Sequence, residues 1–180
     1  MTAAAANLSI VRAPKVRLAR PILDDFCFLA RRMRPDEIAQ YLAMTGADEF
    51  DSDAAARAMA ASRGATFVGV DAANKPIMAG GFEPLRPGVF ELWAVGTTEG
   101  WEKHWRTITL TCNRLIRDTF AGGAHRVQIV ALASRTQAHD WYERGLKLRR
   151  EGEHPGFFAD GQAGITFARV KEGGRVQPQQ

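Results

Sequence analysis

The stretch from residue 90 to residue 146 constrains the fold of this 180-residue chain more than any other part of its sequence. It begins with an apolar run at residues 90–95, continues through a polar turn and a long amphipathic segment, and returns to an apolar run at residues 127–131. Two apolar runs separated by one long helical segment are typical of parallel strands joined by a crossover helix. We therefore predict that these two strands are parallel neighbours, joined by a right-handed crossover through a helix at about residues 101–120.

The long helical segment shows a clear repeat. Five residues recur at spacings of three or four, which places them on one helix face that we predict to be buried. They are Trp105, Ile108, Cys112, Leu115 and Thr119. Gly122-Gly123 is predicted to end the helix.

The remaining segments predict further strands and helices. A strand at residues 16–20 precedes helices that start near Ile22, at Pro35 and at Ser52, the last with Ser52 as the N-cap. The other predicted strands are a three-stranded meander at residues 66–70, 76–82 and 89–95, and a final pair at residues 146–151 and 165–170. The sequence thus predicts an α/β domain with a mixed, mostly antiparallel sheet of six to seven strands flanked by helices.

Length and composition restrict the class of protein. The chain is long enough for one domain, and its 46% hydrophobic and 24% charged residues are ordinary for a globular protein. No apolar run approaches the roughly 18 residues that a membrane helix needs. We predict one domain at residues 16–170 between a flexible arm at residues 1–15 and a flexible tail at residues 171–180.

The first residues, the cysteines and the net charge indicate where the protein acts and what it can bind. The start of the chain lacks the features of a secretory signal, so we expect a cytoplasmic protein. Cys27 and Cys112 fall inside predicted helices and suit packed, reduced thiols, and no Cys/His spacing predicts a metal site. The net charge of +4 favours anionic partners by steering, but no nucleic-acid-binding motif accompanies it.

The order of elements over residues 16–170 resembles that of the GNAT superfamily of N-acetyltransferases. In that family the strands before and after the long helix splay apart, and the pantetheine arm of acetyl-CoA inserts between them. Here those strands are residues 90–95 and 127–131. The resemblance implies acetyl-CoA as cosubstrate and an amine as the acceptor.

The resemblance also implies where the cofactor binds. The family's loop, Arg/Gln-x-x-Gly-x-Gly/Ala, holds the pyrophosphate on backbone N–H groups, but the matching positions here are Gly100, Lys103 and Trp105, so neither defining glycine is present. Two interpretations are open: a plain strand-to-helix turn, or a site in which side chains replace the missing donors. The candidate cofactor-binding residues are Val95, Gly96, Thr97, Thr98, Gly100, Lys103, His104, Trp105, Arg106 and Ser134.

Two residues are candidates for proton transfer. Glu91 shares a strand face with Trp93 and Val95, where aromatic neighbours can raise the pKa of its carboxyl, and it is the candidate base. The alternative for Glu91 is a solvated or ion-paired carboxylate. The segment from Ser134 to Leu146 resembles the family's Asn-x-x-Ala-x-x-Phe-Tyr-Glu-x-x-Gly-Phe signature, whose Tyr protonates the departing thiolate. Counting back from Gly145 aligns Trp141 with the Tyr of the signature, and a shift of one residue aligns Tyr142 with it. The alternative is that both aromatic rings pack on the sheet.

A narrower resemblance rests on four short segments: Arg20-Pro21, Met33-Arg34-x-Asp36-Glu37-Ile38, Thr45-Gly46 and Leu92-Trp93-x-Val95-Gly96-Thr97. Together they are similar to small GNAT-like proteins encoded by tailed phages, a group related to the internal virion protein of short-tailed coliphages. Two functions therefore stay open. One is an acetyl-CoA-dependent N-acetyltransferase acting on a primary amine in the cytoplasm. The other is a catalytically inactive protein of the same fold that serves virion assembly with phage structural proteins as partners.

Overall fold

The computed structural model describes residues 16–171, in which seven strands form one sheet in the order β1-β2-β3-β4-β5-β7-β6. Neighbouring strands are antiparallel except β4 and β5, which are parallel, so the predicted mixed sheet and its parallel pair are confirmed. The strands are β1 Arg17–Ala19, β2 Ala65–Val70, β3 Pro76–Arg86, β4 Val89–Gly96, β5 Arg126–Leu132, β6 Arg149–His154 and β7 Gly164–Val170. The predicted arm and all but Lys171 of the predicted tail lie outside the described residues.

Helices cover both faces of the sheet. They are α1 Leu23–Ala30, α2 Pro35–Thr45, α3 Ser52–Ala60, α4 Thr98–Ala121 and α5 Thr136–Asp140. Helix α5 continues into one π-helical turn, Trp141–Gly145. Among the helices of residues 16–171, none is both long and apolar enough to cross a membrane.

Two apolar clusters hold the layers together. Helices α1 and α3 pack against β2 and β3 on one face, with Phe26, Leu29 and Ala56 fully or almost fully buried. On the other face α4 packs against the sheet through Ile108, Ile116 and other buried side chains. Burying each aliphatic side chain of this size stabilises the fold by about 1.5–3 kcal/mol.

The buried face of α4 differs from the predicted one. It runs through Gly100, His104, Ile108, Cys112, Ile116 and Phe120. Trp105 is 50% exposed, so its predicted burial is wrong. The physical reason lies at Gly100, where a Cβ atom would come within 2.4 Å of the Ile77 carbonyl oxygen. This close approach of helix to strand turns His104 toward the sheet and Trp105 away from it.

The helix ends largely follow the local sequence. Pro35 opens α2, and Gly46 ends it in the left-handed conformation at φ 68°, as the sequence predicts. The predicted N-cap of α3 is wrong by one residue. The carboxylate of Asp51, rather than Ser52, caps that helix by accepting hydrogen bonds from the backbone N–H groups of Asp53 at 2.8 Å and Ala54 at 3.1 Å.

Candidate functional site

The parallel strands β4 and β5 separate soon after they pair. Their ladder contains only three residue pairs, Val89 with Arg126, Phe90 with Val127 and Glu91 with Gln128. Beyond Glu91, β4 continues to pair with β3 on its other side, and β5 with β7. The facing edges of β4 and β5 therefore leave a gap in which backbone groups have no ladder partner, and such groups can bind a ligand.

A cavity opens on each side of this gap. The cavity on the side of helix α4, here the α4 cavity, has a volume of about 530 Å³, and the cavity on the side of helix α3, the α3 cavity, has a volume of about 370 Å³. Both volumes suit a small ligand or part of one. The two cavities share wall residues, which are Glu37, Ala94, Arg135 and Tyr142.

Tryptophan side chains shape the α4 cavity. Trp101 and Trp141 meet edge to face with ring centroids 4.9 Å apart, and the guanidinium of Arg34 lies 4.9 Å from the Trp101 ring. The Trp141 indole N–H donates to the Thr109 hydroxyl at 2.8 Å. Trp105 completes this aromatic wall at the exposed side of the cavity. Stacking and cation–π contacts of this kind give the cavity rigid, flat surfaces.

A cluster of four charged residues lies between the cavities. The Glu37 side chain is 3% exposed, and its carboxylate accepts hydrogen bonds from Gly96 N–H at 3.2 Å and from the Trp101 indole N–H at 2.9 Å. Arg34 pairs with the same carboxylate at 3.2 Å, and Arg135 pairs with Asp36 at 2.8 Å. Burial raises the pKa of Glu37, and the charge of Arg34 is the largest opposing effect.

Sequence reasoning missed this cluster. The local pattern explains Asp36 and Glu37 as acids that suit the positive end of a helix dipole, and the observed hydrogen bond from Arg34 N–H to Glu37 fits that explanation. Nothing local shows that the start of α2 lies against the end of β4. The structure shows this tertiary contact in the two hydrogen bonds to Glu37 and in an antiparallel bridge between Met33 and Thr97.

The loop between β4 and α4 is a tight turn. Helix α4 begins directly at Thr98, and the Thr97 hydroxyl caps it by accepting from Gly100 N–H at 2.9 Å. Gly96 N–H is already bound to Glu37. The backbone N–H groups of Gly96 and Gly100, two of the candidate cofactor-binding residues, therefore have acceptors within the protein.

The predicted basic donors are also engaged. Lys103 pairs with Glu99 at 3.0 Å. Glu99 also pairs with Lys75, and hydrogen bonds from Lys75 and Lys103 lower the pKa of Glu99 to about 2. The exposed guanidinium of Arg106 lies 5.3 Å from the Trp105 ring. The lysine ammonium is thus neutralised locally, while the arginine lies over the ring of Trp105, a residue of the α4 cavity wall.

The other candidate cofactor residues separate into different places. Thr98 and Trp105 line the α4 cavity, and Val95 lines the α3 cavity. His104 is buried on the sheet-facing side of α4, where its Nδ1 has no hydrogen-bond partner among the described residues. Ser134 is exposed just before α5 and lines neither cavity. The predicted set therefore does not form one continuous site.

Glu91 lies in the wall of the α3 cavity with Trp93 and Val95. It is half-buried, and its carboxylate has no hydrogen bond or ion pair with any described residue. Burial raises the pKa of Glu91, and the charge of Glu83 directly across the β3–β4 ladder raises it further. Glu83 itself is paired: it accepts from the Ser62 hydroxyl at 2.7 Å and from Arg63 Nε at 2.8 Å.

Tyr142 lies where the two cavities meet. Its side chain is 4% exposed and its hydroxyl has no hydrogen-bond partner among residues 16–171. Burial raises the pKa of Tyr142, so the hydroxyl keeps its proton at neutral pH. Trp141, the alternative in the sequence register, lines only the α4 cavity and donates to Thr109. Of the two aromatic residues, Tyr142 is the one that both cavities reach.

Comparison with known proteins identifies the fold. No family model matches the sequence, and no curated protein matches it. Among solved structures, a spermidine N-acetyltransferase from Vibrio cholerae in complex with CoA and spermine aligns with a TM-score of 0.67 and 14% identity, over 86% of this chain and 95% of that one. A GNAT-family acetyltransferase from Bacillus anthracis aligns with a TM-score of 0.67 and 12% identity, over 88% and 95%. A probable GNAT-family acetyltransferase from Chromobacterium violaceum gives 0.65 and 16%, over 94% and 96%. The chain therefore has the GNAT fold.

Proposed function

We propose that this protein transfers an acetyl group from acetyl-CoA to a primary amine. The observation that carries the proposal is the gap between β4 and β5, which has a cavity on each side and Tyr142 in the wall that the cavities share. A transfer reaction between two substrates needs such an arrangement, because both substrates must reach one point from different directions.

The α4 cavity has features that suit the pantetheine arm of acetyl-CoA but lacks a glycine loop for its diphosphate. The unpaired edge of β4 and the α4 cavity fit the pantetheine arm, and the bound cofactor would supply the thioester. The diphosphate would not meet a glycine loop, because the N–H groups of Gly96 and Gly100 already have acceptors. We assign its binding to side chains at the cavity rim, including Arg34 and Arg106.

The residues at the gap have distinct chemical roles in this proposal. Glu91 accepts a proton from the ammonium of the acceptor, a role that its raised pKa favours. Tyr142 donates its hydroxyl proton to the departing thiolate, and its lack of another hydrogen-bond partner among the described residues leaves it available. The aligned enzyme from Vibrio cholerae was solved in complex with CoA and spermine. That complex supports acetyl-CoA as the cosubstrate and an amine as the class of acceptor in this proposal.

A second candidate function rests on Glu37. Its carboxylate accepts from the Gly96 N–H group at the end of β4, so this backbone donor is not free to bind a cofactor. A binding protein of this fold without catalytic activity would have the same feature. The resemblance to phage virion proteins stays a prediction.

The test is a turnover assay with purified protein. Acetyl-CoA is incubated with a panel of aliphatic, aromatic and polyamine acceptors, and CoA release is followed with a thiol reagent while mass spectrometry identifies the acetylated amine. We expect acetyl-CoA consumption that depends on the amine. Absence of acetylated product with every amine would favour the catalytically inactive protein.

A further inference from the structure

We propose that the α3 cavity binds a primary amine that carries a single positive charge on an apolar body with a hydrogen-bond acceptor, and that it selects against polyamines. That the cavity receives the acceptor substrate rests on the proposed function. The chemical class of the ligand rests on the cavity itself, and the two statements can be tested separately.

The lining of the α3 cavity is mainly apolar. Three methionines and two aromatic residues contribute to it, together with aliphatic residues of β4 and β5; the methionine and aromatic residues are Met33, Met44, Met59, Tyr41 and Trp93. Methionine side chains adapt to ligands of varied shape, and aromatic rings provide large flat contacts. Such a lining binds an apolar body and provides no carboxylate for a second or third ammonium apart from the glutamates considered next.

The available negative charge is limited to one carboxylate. Three glutamates line the α3 cavity, but Glu83 is bound by Ser62 and Arg63, and Glu37 is bound by Gly96, Trp101 and Arg34. Glu91 alone among them has no partner within residues 16–171. A half-buried carboxylate without a partner is partly desolvated, so one ammonium that pairs with Glu91 is favoured and each further ammonium would enter the cavity without a carboxylate to pair with.

The side-chain amide of Gln40, in the wall of the α3 cavity, places a second requirement on the ligand. Gln40 is 9% exposed, and its Oε1 accepts from the backbone N–H of Leu132 at 2.8 Å. That bond fixes the orientation of the amide, because the reversed amide would place two donors face to face. Its Nε2 is therefore a donor, and it has no partner among the described residues. A carbonyl or hydroxyl oxygen on the ligand would satisfy it.

The experiment measures amine binding without acetyl-CoA, so that a failure of the catalytic proposal does not affect it. Phenylalanine amide, phenethylamine and spermidine are titrated into the wild-type protein by calorimetry. We expect phenylalanine amide to bind most tightly, phenethylamine about 3–10-fold more weakly because it lacks the carbonyl acceptor, and spermidine at least 10-fold more weakly than phenylalanine amide.

Two variants locate the ligand. Glu91→Gln should weaken phenylalanine amide at least 10-fold, whereas the control Glu153→Gln, which makes the same charge change at an exposed ion pair that lines neither cavity, should change its affinity less than threefold. Circular dichroism checks that both variants fold, and the wild-type ligand series decides the class of ligand even if one does not. Spermidine binding as tightly as phenylalanine amide, or a folded Glu91→Gln variant that binds like the wild type, would overturn the proposal. Turnover of polyamines alone would overturn it while leaving the acetyltransferase proposal intact.

Discussion

The two cavities at the β4–β5 gap differ in which polar groups of their walls lack a partner. In the wall that both cavities share, Glu37 binds Gly96, Trp101 and Arg34, and Arg135 binds Asp36. On the α4 side, the buried Nε of Arg34 has no hydrogen-bond partner among the described residues. In the α3 cavity, the Glu91 carboxylate and the Gln40 Nε2 group have no partners among residues 16–171. An anion that enters the first cavity must therefore compete with an internal carboxylate, whereas a cation that enters the second finds a prepared partner.

Because of this difference, we expect substitutions in the two cavities to affect cofactor affinity and catalysis separately. Cofactor affinity should improve when the internal carboxylate of the α4 cavity is neutralised. Catalysis and amine binding should suffer when the free groups of the α3 cavity or the shared wall are removed. The predictions below follow this division from the largest expected effect to the smallest.

The largest effect is expected from the two proton-transfer residues. Glu91→Gln and Tyr142→Phe should each lower kcat about 10²-fold while leaving acetyl-CoA affinity within about threefold, because general acid–base catalysis contributes on this order and both substitutions preserve shape. Steady-state kinetics and calorimetry measure the two quantities. The matched control Glu153→Gln, at an exposed ion pair outside both cavities, should retain kcat within about threefold. Undiminished turnover in either catalytic variant would remove that residue from the mechanism.

The next largest effect concerns the internal anion. Glu37→Gln removes one negative charge beside Arg34 but keeps an oxygen that can accept from Gly96 or Trp101. We expect acetyl-CoA, which is strongly anionic, to bind about five- to tenfold more tightly. Asp118→Asn makes the same charge change at an exposed ion pair near the far end of α4 and should leave affinity unchanged. Weaker binding by Glu37→Gln would show that the carboxylate supports the cofactor site instead of competing for it.

A smaller effect is expected on stability through Glu91. Its pKa is raised in the folded state, so the folded protein holds this proton to higher pH than the unfolded chain does. The stabilisation from protonated Glu91 is therefore complete below the unfolded pKa and is lost as the pH rises through the folded pKa. At pH 7, the free energy of unfolding of Glu91→Gln should equal that of the wild type or exceed it by less than ~1 kcal/mol. This difference should vanish toward pH 4. Urea unfolding at several pH values measures this, and clear destabilisation at pH 7 would reveal a partner for the carboxylate.

The smallest effect is expected at Lys103. Its ammonium is exposed and paired with Glu99, so Lys103→Ala should change acetyl-CoA affinity less than about threefold and leave stability nearly unchanged. Arg114→Ala, which removes a similar exposed i,i+4 pair on the same helix, is the control. A tenfold loss of affinity confined to Lys103→Ala would mean that the lysine leaves Glu99 to bind the cofactor.

Local sequence predicted the elements of the fold well because each element carries its own periodicity and end signals. Pro35 and Gly46 mark the start and the end of α2, and the order of apolar runs predicted that β4 and β5 are parallel. Trp105 shows where this fails: the face that a helix buries depends on close approach to another element, here at Gly100, and not on apolar spacing alone.

The candidate site was less predictable for the same reason. Glu91 and Tyr142 lie at the gap, and both belong to segments whose pattern suggested them. Glu37 and Arg135 are about a hundred residues apart in sequence, yet they line the same two cavities. Their meeting depends on how the start of α2 packs against the ends of β4 and β5, which no local pattern encodes.

The most direct test of this account is a titration of acetyl-CoA into the wild-type protein, with melting temperature followed in parallel. The account predicts saturable binding of one acetyl-CoA per chain. At about a hundred times the dissociation constant the ligand should stabilise the fold by roughly 2.7 kcal/mol, which raises the Tm by several degrees in a domain of this size. No heat of binding and no change in Tm at millimolar acetyl-CoA would contradict the assignment of the β4–β5 gap as a cofactor site.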